Sequence, residues 1–342
     1  MSVALGAILV VEPDSGKAFA NIGGPDATQR VERADFLASG PLTCVEILGR
    51  SVVERTIERF VKADVEAILV HVQADAVGLL PSFRSSFDNV DIRVSDDVWT
   101  GVGQALQEFS GKGIDYAFVC RVNAYMEADL IDLFQFHRQT RQTVTRASDG
   151  EGFLDLWISA CNEPAQAMFS DPETAPRTGK DGGWPMTYFV KEYVNRLAHP
   201  RDLRRLVGDA FRRRCEVVPV GREIRPGVWV DDGVQIDKRA RIVAPAYLGC
   251  KSIIREDTLI TRFSNIESFS YVDYGTVIED SSILTNTYVG IWLDMCHAVV
   301  QGNQLLNLAH NVSLEIADPS LIRANLAVKK EAKGSLAMIG CA

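Results

Sequence analysis

The sequence lacks the features of a membrane-spanning or nucleic-acid-binding protein. It has no run of 18 apolar residues, so we expect no transmembrane helix, and its first residues lack the basic segment and long apolar run of a signal peptide. Lys and Arg number 36 against 45 Asp and Glu, giving a net charge of −9, and no basic stripe is present to meet phosphates. We therefore expect no membrane and no nucleic acid among its partners.

Cysteine is also sparse, and its placement is uninformative as a motif. The seven cysteines are odd in number, scattered, and never spaced as Cys-x-x-Cys. This pattern predicts reduced thiols in a cytoplasmic protein, with neither a disulfide framework nor a zinc site.

What the sequence does contain is a repeat with a period of six over residues 230–289. An aliphatic residue opens each hexad, and a small or short residue stands four positions later in all but the tenth, which has Tyr288. Such a period is typical of the hexapeptide repeat of a parallel β-helix. The aliphatic positions are Val230, Ile236, Ile242, Leu248, Ile254, Ile260, Ile266, Val272, Ile278 and Leu284.

The motif resembles that of a left-handed β-helix with three hexads per coil, in which residues eighteen apart stack. One wall is then predicted to hold Val230, Leu248, Ile266 and Leu284, the second Ile236, Ile254 and Val272, and the third Ile242, Ile260 and Ile278. The alternative, a β-sandwich, would require turn signals and period-2 alternation.

Before the repeat, strand and helix patterns alternate, which predicts a parallel, three-layer α/β domain with its boundary near residue 221. Ser51 is a predicted N-cap, with Glu54 completing a capping box. Strands are predicted over 3–11, 66–72, 90–94, 115–120, 143–146, 154–159 and 215–220, and helices over 51–63, 101–109, 127–139, 186–198 and 201–213.

Three stretches carry a resemblance to the sugar-nucleotide nucleotidyltransferase (NDP-sugar pyrophosphorylase) family. Ile47-Leu-Gly-Arg-Ser-Val-Val-Glu-Arg-Thr-Ile-Glu-Arg-Phe60 is similar to the segment after the family's Gly-rich loop, Gly101-Val-Gly-Gln-Ala-Leu106 to its GTAGAL turn, and 115–130 to the region of its metal-binding Asp. The resemblance implies a Rossmann-like (GT-A-like) nucleotidyltransferase domain over 1–221, a left-handed β-helix over 222–320 and a C-terminal tail over 321–342.

The resemblance also implies a chemistry: NTP and sugar 1-phosphate yield an NDP-sugar and pyrophosphate, with Mg²⁺ as cofactor if the chain is active. Gly101 and Gly103 would lie against the nucleotide or nucleotide-sugar. Asn123 and Asp231 correspond to the two metal ligands, although Asp231 also fits as a residue that opens the hexad register.

Three departures weaken that catalytic assignment. Glu12-Pro-Asp-Ser-Gly-Lys17 replaces the Gly-x-Gly-Thr-Arg loop, Leu42 stands at the Pro-Lys-Pro lysine, and Asn123 replaces the metal Asp. Because a transferase on two polyanions depends on charge neutralisation, we predict a weakened or lost active site and a nucleotide-sugar-binding or regulatory subunit role in polysaccharide biosynthesis. Lys17, Arg30 and Arg33 are candidate substitutes for the missing cations; the alternative is a solvated loop.

Two other functions stay open. His297 resembles the general base of hexapeptide acyl-CoA-dependent acyltransferases, although a packing residue is the alternative, and a purely non-catalytic assembly subunit is the third hypothesis. His71 is predicted to be a hydrogen-bonded core histidine. Apolar residues at outward positions of the repeat predict cover by another part of the chain or a homo-oligomer formed through the β-helix: Ile253, Leu259, Tyr271, Val277, Ile283 and Val289.

Overall fold

The protein is a mixed α/β chain with several parallel sheets and few helices. The computed structural model describes residues 4–12, 42–79, 87–169 and 187–325. Its contacts divide the chain into two compact units. Of the described residues, 4–12, 42–44 and 51–198 form the first unit, and 45–50 and 199–325 the second. The division thus falls at 198/199, whereas the sequence placed it near 221.

The first unit contains one large sheet flanked by helices. The helices are α1 (Val52–Lys62), α2 (Val98–Gly111), α3 (Leu130–Thr140) and α4 (Glu163–Phe169), with 3-10 turns at Leu42–Cys44 and Ala74–Leu79. The strands are β1 (Leu5–Val11), β4 (Ala67–Gln73), β5 (Val90–Ser95), β6 (Tyr116–Arg121), β7 (Tyr125–Met126), β8 (Val144–Asp149), β9 (Gly152–Ala160), β10 (Thr187–Phe189) and β11 (Val194–Asn195). A short hairpin, β2 (Glu46–Ile47) and β3 (Arg50–Ser51), precedes α1 in sequence and belongs mainly to the second unit.

The seven strands of the large sheet run in the order β10-β8-β9-β6-β1-β4-β5. β1 lies between β4 and β6 and is parallel to both, and β5 continues the parallel set. β9 is antiparallel to β6 and β8. β1 is apolar along its length because both of its faces are covered, and α2 packs Val102, Leu106 and Phe109 against one of them. Because β1 and β6 are adjacent and parallel, their carboxyl ends meet at one edge of the sheet.

Two predictions of secondary structure in this region were wrong. The described part of the helix predicted over 186–198, residues 187–198, is not helical but contains β10 and β11, because Thr187, Tyr188 and Phe189 pair with β8. β-branched and aromatic residues suit a strand when a partner is available. Residues 215–220 form no strand, since Pro219 has no N–H to donate to a neighbour. The N-cap at Ser51 is confirmed, as its hydroxyl accepts from the Glu54 N–H.

The second unit opens with one helix and continues as short strands. The helix is α5 (Pro200–Phe211), capped by His199. The strands are β12 (Arg222–Arg225), β13 (Val228–Val230), β14 (Gln235–Ile236), β15 (Arg241–Ile242), β16 (Ala246–Leu248), β17 (Ile253–Ile254), β18 (Leu259–Thr261), β19 (Ser264–Ile266), β20 (Tyr271–Val272), β21 (Val277–Glu279), β22 (Ser282–Ile283), β23 (Thr287–Val289), β24 (Asp294–Cys296), β25 (Ala298–Gln301), β26 (Gln304–Asn307), β27 (Val312–Glu315) and β28 (Ile322–Ala324).

From β13 to β25 every third strand joins the same parallel sheet, a pattern compatible with a β-helix. The three sheets contain β13-β16-β19-β22-β25, β14-β17-β20-β23 and β15-β18-β21-β24. Stacked aliphatic side chains fill the interior, as predicted for Leu248 on Ile266, Ile254 on Val272 and Ile260 on Ile278. We call the region from β12 to β28 the coil region.

One predicted stack was wrong. Ile266 pairs with Ile283 rather than Leu284, because the coil that contains them is one residue short. Ile283 and Val289, predicted to face outward, consequently lie in the apolar interior. The period of six resumes after the slip, since Ile283, Val289 and Met295 occupy successive interior positions.

Hydroxyl side chains at the corners join consecutive coils. The Ser270 hydroxyl donates to the Leu284 carbonyl of the next coil and accepts from the Thr287 N–H. Thr276 bridges Gly290 and Leu293 in the same way. After the slip this role falls to Ser281, not to the predicted Ser282.

The coil region ends in antiparallel strands. β26 and β27 extend the first sheet beyond β25, and β12 closes its opposite side, giving the order β12-β13-β16-β19-β22-β25-β26-β27. β28 returns antiparallel to β23 at the start of the predicted tail 321–342.

None of the helices in the ranges that the structure describes is long and apolar enough to cross a membrane.

Candidate functional site

A small polar pocket lies in the first unit where β1 and β6 end. Its lining consists of Glu12, Leu42, Thr43, Arg121, Val122, Asn123 and Leu197. Glu12 directly follows β1, and Arg121 and Asn123 stand at the end of β6, so the parallel pairing of Val10 with Arg121 places them together. In open α/β sheets, ligands commonly bind outside the carboxyl ends of parallel strands.

The centre of the pocket is an ion pair within the chain. Arg121 Nε lies 2.7 Å from Glu12 Oε2, and the Trp99 indole N–H donates to Glu12 Oε1 at 2.8 Å. The Arg121 and Glu12 side chains are 17% and 14% exposed, so solvent screens the pair only in part. Glu12 therefore supplies Arg121 with the negative charge that a bound phosphate would otherwise supply.

A second carboxylate completes the charge balance of the pocket. Asp155, brought in by the antiparallel pairing of β9 with β6, accepts from Arg146 Nη2 at 2.8 Å and from Asn123 Nδ2 at 2.7 Å. Arg121 Nη1 lies 3.9 Å from the same carboxylate. Two arginines and two carboxylates thus neutralise one another around the pocket, a cluster that we call the pocket network.

The remaining pocket groups are poorly suited to phosphate chemistry. Leu42 is buried and apolar, and the neighbouring Thr43 hydroxyl donates to the Val122 carbonyl at 3.0 Å. Cys120, just before Arg121, is no nucleophile, because burial and then Asp155 raise the pKa of its thiol to about 12. The cavity is small, about 20 Å³, well below the volume of a typical ligand pocket.

The two glycines predicted to touch nucleotide lie within α2, and both are buried. At Gly101 a Cβ atom would stand 2.8 Å from the ring of His71, so this glycine permits a close approach of α2 to β4. The prediction that His71 is hydrogen-bonded was wrong: neither ring nitrogen has a partner in the part of the chain that the structure describes. Burial, and secondarily Arg93, lowers its pKa.

The other predicted ligands are dispersed. Lys17, Arg30 and Arg33 lie outside the described residues. Asp231 is buried in the second unit, where it accepts the Asp232 N–H and lies 3.3 Å from the Tyr247 hydroxyl. Among the described residues, no group of three or more His, Cys, Asp or Glu side chains is arranged to hold a metal ion.

His297, the acyltransferase candidate, forms a hydrogen-bonded dyad in the coil region. Its Nδ1 lies 2.6 Å from Asp280 Oδ2, and Arg204 Nη2 donates to the other Asp280 oxygen at 2.8 Å. The His297 side chain is 48% exposed, and its backbone has a φ of 51°. Asp280 thus fixes the ring and leaves Nε2 on the outer edge.

Behind this dyad lies a buried polar cluster that the sequence did not indicate. Arg204 donates to Asn265 Oδ1 at 2.8 Å and to the Ser282 hydroxyl at 2.9 Å, and Asn265 Nδ2 donates to Glu267 at 2.6 Å. Glu267 also accepts the backbone N–H groups of Leu48 and Gly49 at 2.8 and 3.0 Å. These residues, with Asp280, form what we call the wall network.

Glu267 is fully buried. Burial, followed by the charge of Glu46, raises the pKa of Glu267 to about 8. The three N–H groups that donate to Glu267 lower its pKa, but they do not offset the effect of burial. The Leu48-Gly49 segment of the family-like motif is thus held by a carboxylate of the repeat. Gly49, with φ of +89°, is required there, since a Cβ atom would lie 2.3 Å from the Tyr247 hydroxyl.

The sequence singled out Glu12, Asn123 and His297, but not the other side chains around them, namely Arg121, Asp155 and Asp280. Arg121 and Glu12 carried one available signal, a charged residue at or just after the end of an apolar strand. Asp155 carried none, because only the antiparallel pairing of β9 with β6 brings it in. Asp280 could have been found from the repeat, because it lies 17 residues before His297, one coil away.

The chain was compared with protein-family models and with curated proteins. No family model matches it, and no curated protein gives a significant match. The resemblance to nucleotidyltransferases therefore stays a prediction.

Proposed function

We propose that this chain is a sugar-1-phosphate nucleotidyltransferase-like protein whose catalytic site is lost or weakened. In this proposal it binds a nucleotide or nucleotide-sugar in the first unit and acts as a regulatory or assembly subunit. The first unit is then a Rossmann-like nucleotidyltransferase domain, and the coil region a left-handed β-helix.

The ion pair between Glu12 and Arg121 carries the proposal. Phosphoryl transfer depends on cations that are free to neutralise the charge of the transferred group. Here the pocket cations Arg121 and Arg146 each pair with a carboxylate of the chain. A triphosphate would have to displace Glu12 and then remain beside it, a repulsion that opposes turnover of NTP and sugar 1-phosphate to NDP-sugar.

The side chains around Asn123 do not fit Mg²⁺ in this arrangement. Asn123 presents its NH₂ group to Asp155, and Asp155 is already paired with Arg146. Hard cations require oxygen ligands, preferably carboxylates. Asp231, the second predicted ligand, is engaged with Tyr247 and its own neighbour.

A ligand panel tests the proposal directly. We expect nucleotide-sugars to raise the melting temperature of the purified chain, and we expect no pyrophosphate to form from any pairing of NTP with sugar 1-phosphate. Pyrophosphate release dependent on both substrates would refute the loss of activity, and a panel without any thermal shift would refute nucleotide binding.

Glu12→Gln tests the role of the ion pair. The substitution removes the negative charge 2.7 Å from Arg121 while keeping an oxygen that can accept its hydrogen bond, so we expect affinity for nucleotide-sugars to rise by about tenfold, the effect of one stronger charge-assisted hydrogen bond. Glu108→Gln is the matched control, since Glu108 also lies 2.7 Å from an arginine, Arg93, but outside the pocket. Equal effects of the two substitutions would exclude the pocket as the binding site.

The dyad of His297 and Asp280 favours a second candidate, an acyl-CoA-dependent acyltransferase. A histidine oriented through Nδ1 by a carboxylate can take a proton from an acceptor hydroxyl or amine at Nε2. The half-exposed ring of His297 is accessible to such an acceptor.

This candidate predicts acyl transfer or hydrolysis of acetyl-CoA that His297→Ala abolishes. His310→Ala is the control, because His310 is an exposed histidine of the same unit. A chain that neither binds nor consumes acetyl-CoA, or one that loses no activity on His297→Ala, would eliminate this function.

A further inference from the structure

The two outer strands of the eight-stranded sheet differ in how they are protected against further strand pairing. β12 closes one side and β27 the other. Exposed strand edges readily add another strand, and proteins usually prevent this with charges, proline or β-bulges.

β12 carries these protective features. Three of its four residues are charged, namely Arg222, Glu223 and Arg225, and its pairing with β13 shifts register between Glu223 and Arg225. The Arg225 guanidinium also bonds to the Ile242 carbonyl. An incoming strand would meet an irregular, charged edge.

β27 carries almost none of them. Its pairing with β26 is regular from Val312 to Glu315, and all four of its residues are exposed. Val312 and Leu314 are 41% and 47% exposed and share one face, because side chains alternate along a strand. In the part of the chain that the structure describes, β27 pairs with β26 alone.

The sequence of β27 is complementary to itself. In an antiparallel pair related by a two-fold axis through Ser313, Val312 of one copy stands opposite Leu314 of the other, and Ser313 opposite Ser313. Directly opposed residues share a face and contact each other, so this register brings the exposed apolar side chains together. Glu315, the only charge on the strand, then faces Asn311 rather than a like charge.

We propose that β27 is the site where a second copy of this chain adds, antiparallel about Ser313, so that the two sheets continue into each other. The interface is isologous, as expected for a two-fold dimer. Four residues a side form much less than the roughly 1,200–2,000 Å² of a standard stable interface. The dimer is accordingly weak and forms in a concentration-dependent manner.

Sedimentation velocity from micromolar to submillimolar concentration tests the proposal. We expect the wild-type chain to dimerise over this range, and Leu314→Lys to raise the dissociation constant by about tenfold or more, because charge directly opposite apolar or like-charged neighbours disfavours strand pairing. Ile224→Lys is the matched control: Ile224 lies on β12 of the same sheet, is 48% exposed, and should leave the dimer intact.

Ser313→Cys tests the register itself. The two introduced thiols would stand about 4.5–5.5 Å apart at the Cβ atoms, so a short bifunctional thiol reagent should link two copies, whereas wild type and Ile224→Cys should give little covalent dimer. This variant does not depend on the folding of Leu314→Lys. A wild-type monomer at every concentration, a dimer insensitive to Leu314→Lys, or no Ser313→Cys cross-link would each overturn the proposal.

Discussion

The pocket network of the first unit and the wall network of the second hold their ionisable side chains in different ways. In the pocket, Arg121 and Arg146 meet carboxylates side chain to side chain, and every member keeps some solvent contact. In the wall, Glu267 is held by backbone N–H groups, and Arg204 reaches it only through Asn265.

Because of this difference, side chains of the pocket network can exchange a hydrogen-bond partner for a ligand group, whereas Glu267 of the wall network cannot. A side chain at a pocket can rotate and accept a ligand group in place of its neighbour, with water available during the exchange. A buried carboxylate bound to backbone N–H groups has no such alternative, because moving it would strand both peptide groups. The proposed ligand binding is therefore placed at the pocket network, whereas the wall network is suited to specifying the structure.

The largest expected effect is that of removing Arg204. Its guanidinium is buried and donates to the buried Asn265 and Ser282 as well as to the partly exposed Asp280, so Arg204→Ala should lower the free energy of unfolding by about 2–4 kcal/mol, because two buried acceptors lose their donor. Urea denaturation measures the loss. Arg205→Ala, next along α5 and 54% exposed, should cost no more than about 0.5 kcal/mol; similar losses for the two would mean that the wall network does not specify the structure.

The next effect is a dependence of stability on pH caused by Glu267. Its pKa of about 8 in the folded chain exceeds the ordinary value of 4.5, so the folded state binds more protons between these values. The free energy of unfolding should therefore fall as pH rises from about 4.5 to about 8.

Glu267→Gln should flatten that fall. It should also cost about 1–3 kcal/mol at low pH, because an amide NH₂ cannot accept the second peptide N–H. The measurement is chemical denaturation at several pH values, with Glu279→Gln, a partly exposed partner of Arg262, as the control. An unchanged slope would show that Glu267 titrates as an ordinary carboxyl.

The smallest effect is expected in the pocket. Asp155→Asn removes the negative charge beside Arg146, but the amide oxygen of Asn can still accept from Arg146, so we expect a loss of only about 1 kcal/mol. Thermal unfolding compares it with Asp91→Asn, an exposed partner of Arg93, for which we expect almost no change. A loss of stability as large as that expected for Arg204→Ala would show that the two networks contribute equally to stability, contrary to our expectation.

The coil region was largely predictable because the period of six directly reports which side chains face inward. The one error, Leu284 for Ile283, arose where two aliphatic residues are adjacent and either could satisfy the period. The sequence did hold the correction: Val289 and Met295 continue the period from Ile283, whereas Leu284 would continue to Gly290 and Cys296.

The sites were less predictable because they depend on pairing between distant segments. Asp155 enters the pocket only because β9 runs antiparallel to β6, and no local pattern specifies that direction. Glu267 belongs to the repeat, and nothing near it in sequence indicates that Leu48 and Gly49 donate their N–H groups to it. Asn123 was identified only through the resemblance, which aligns it with the metal-binding Asp of the nucleotidyltransferases.

The hydrogen bonds of the corner hydroxyls all run the same way along the stack of coils. Ser264, Ser270, Thr276 and Ser281 each satisfy a carbonyl and an N–H of the coil that follows, never of the coil before. Shortening the stack from its carboxyl end would merely leave a hydroxyl facing water. Shortening it from the amino end would instead expose the peptide groups that these hydroxyls serve, and water would have to replace the hydroxyl as their partner.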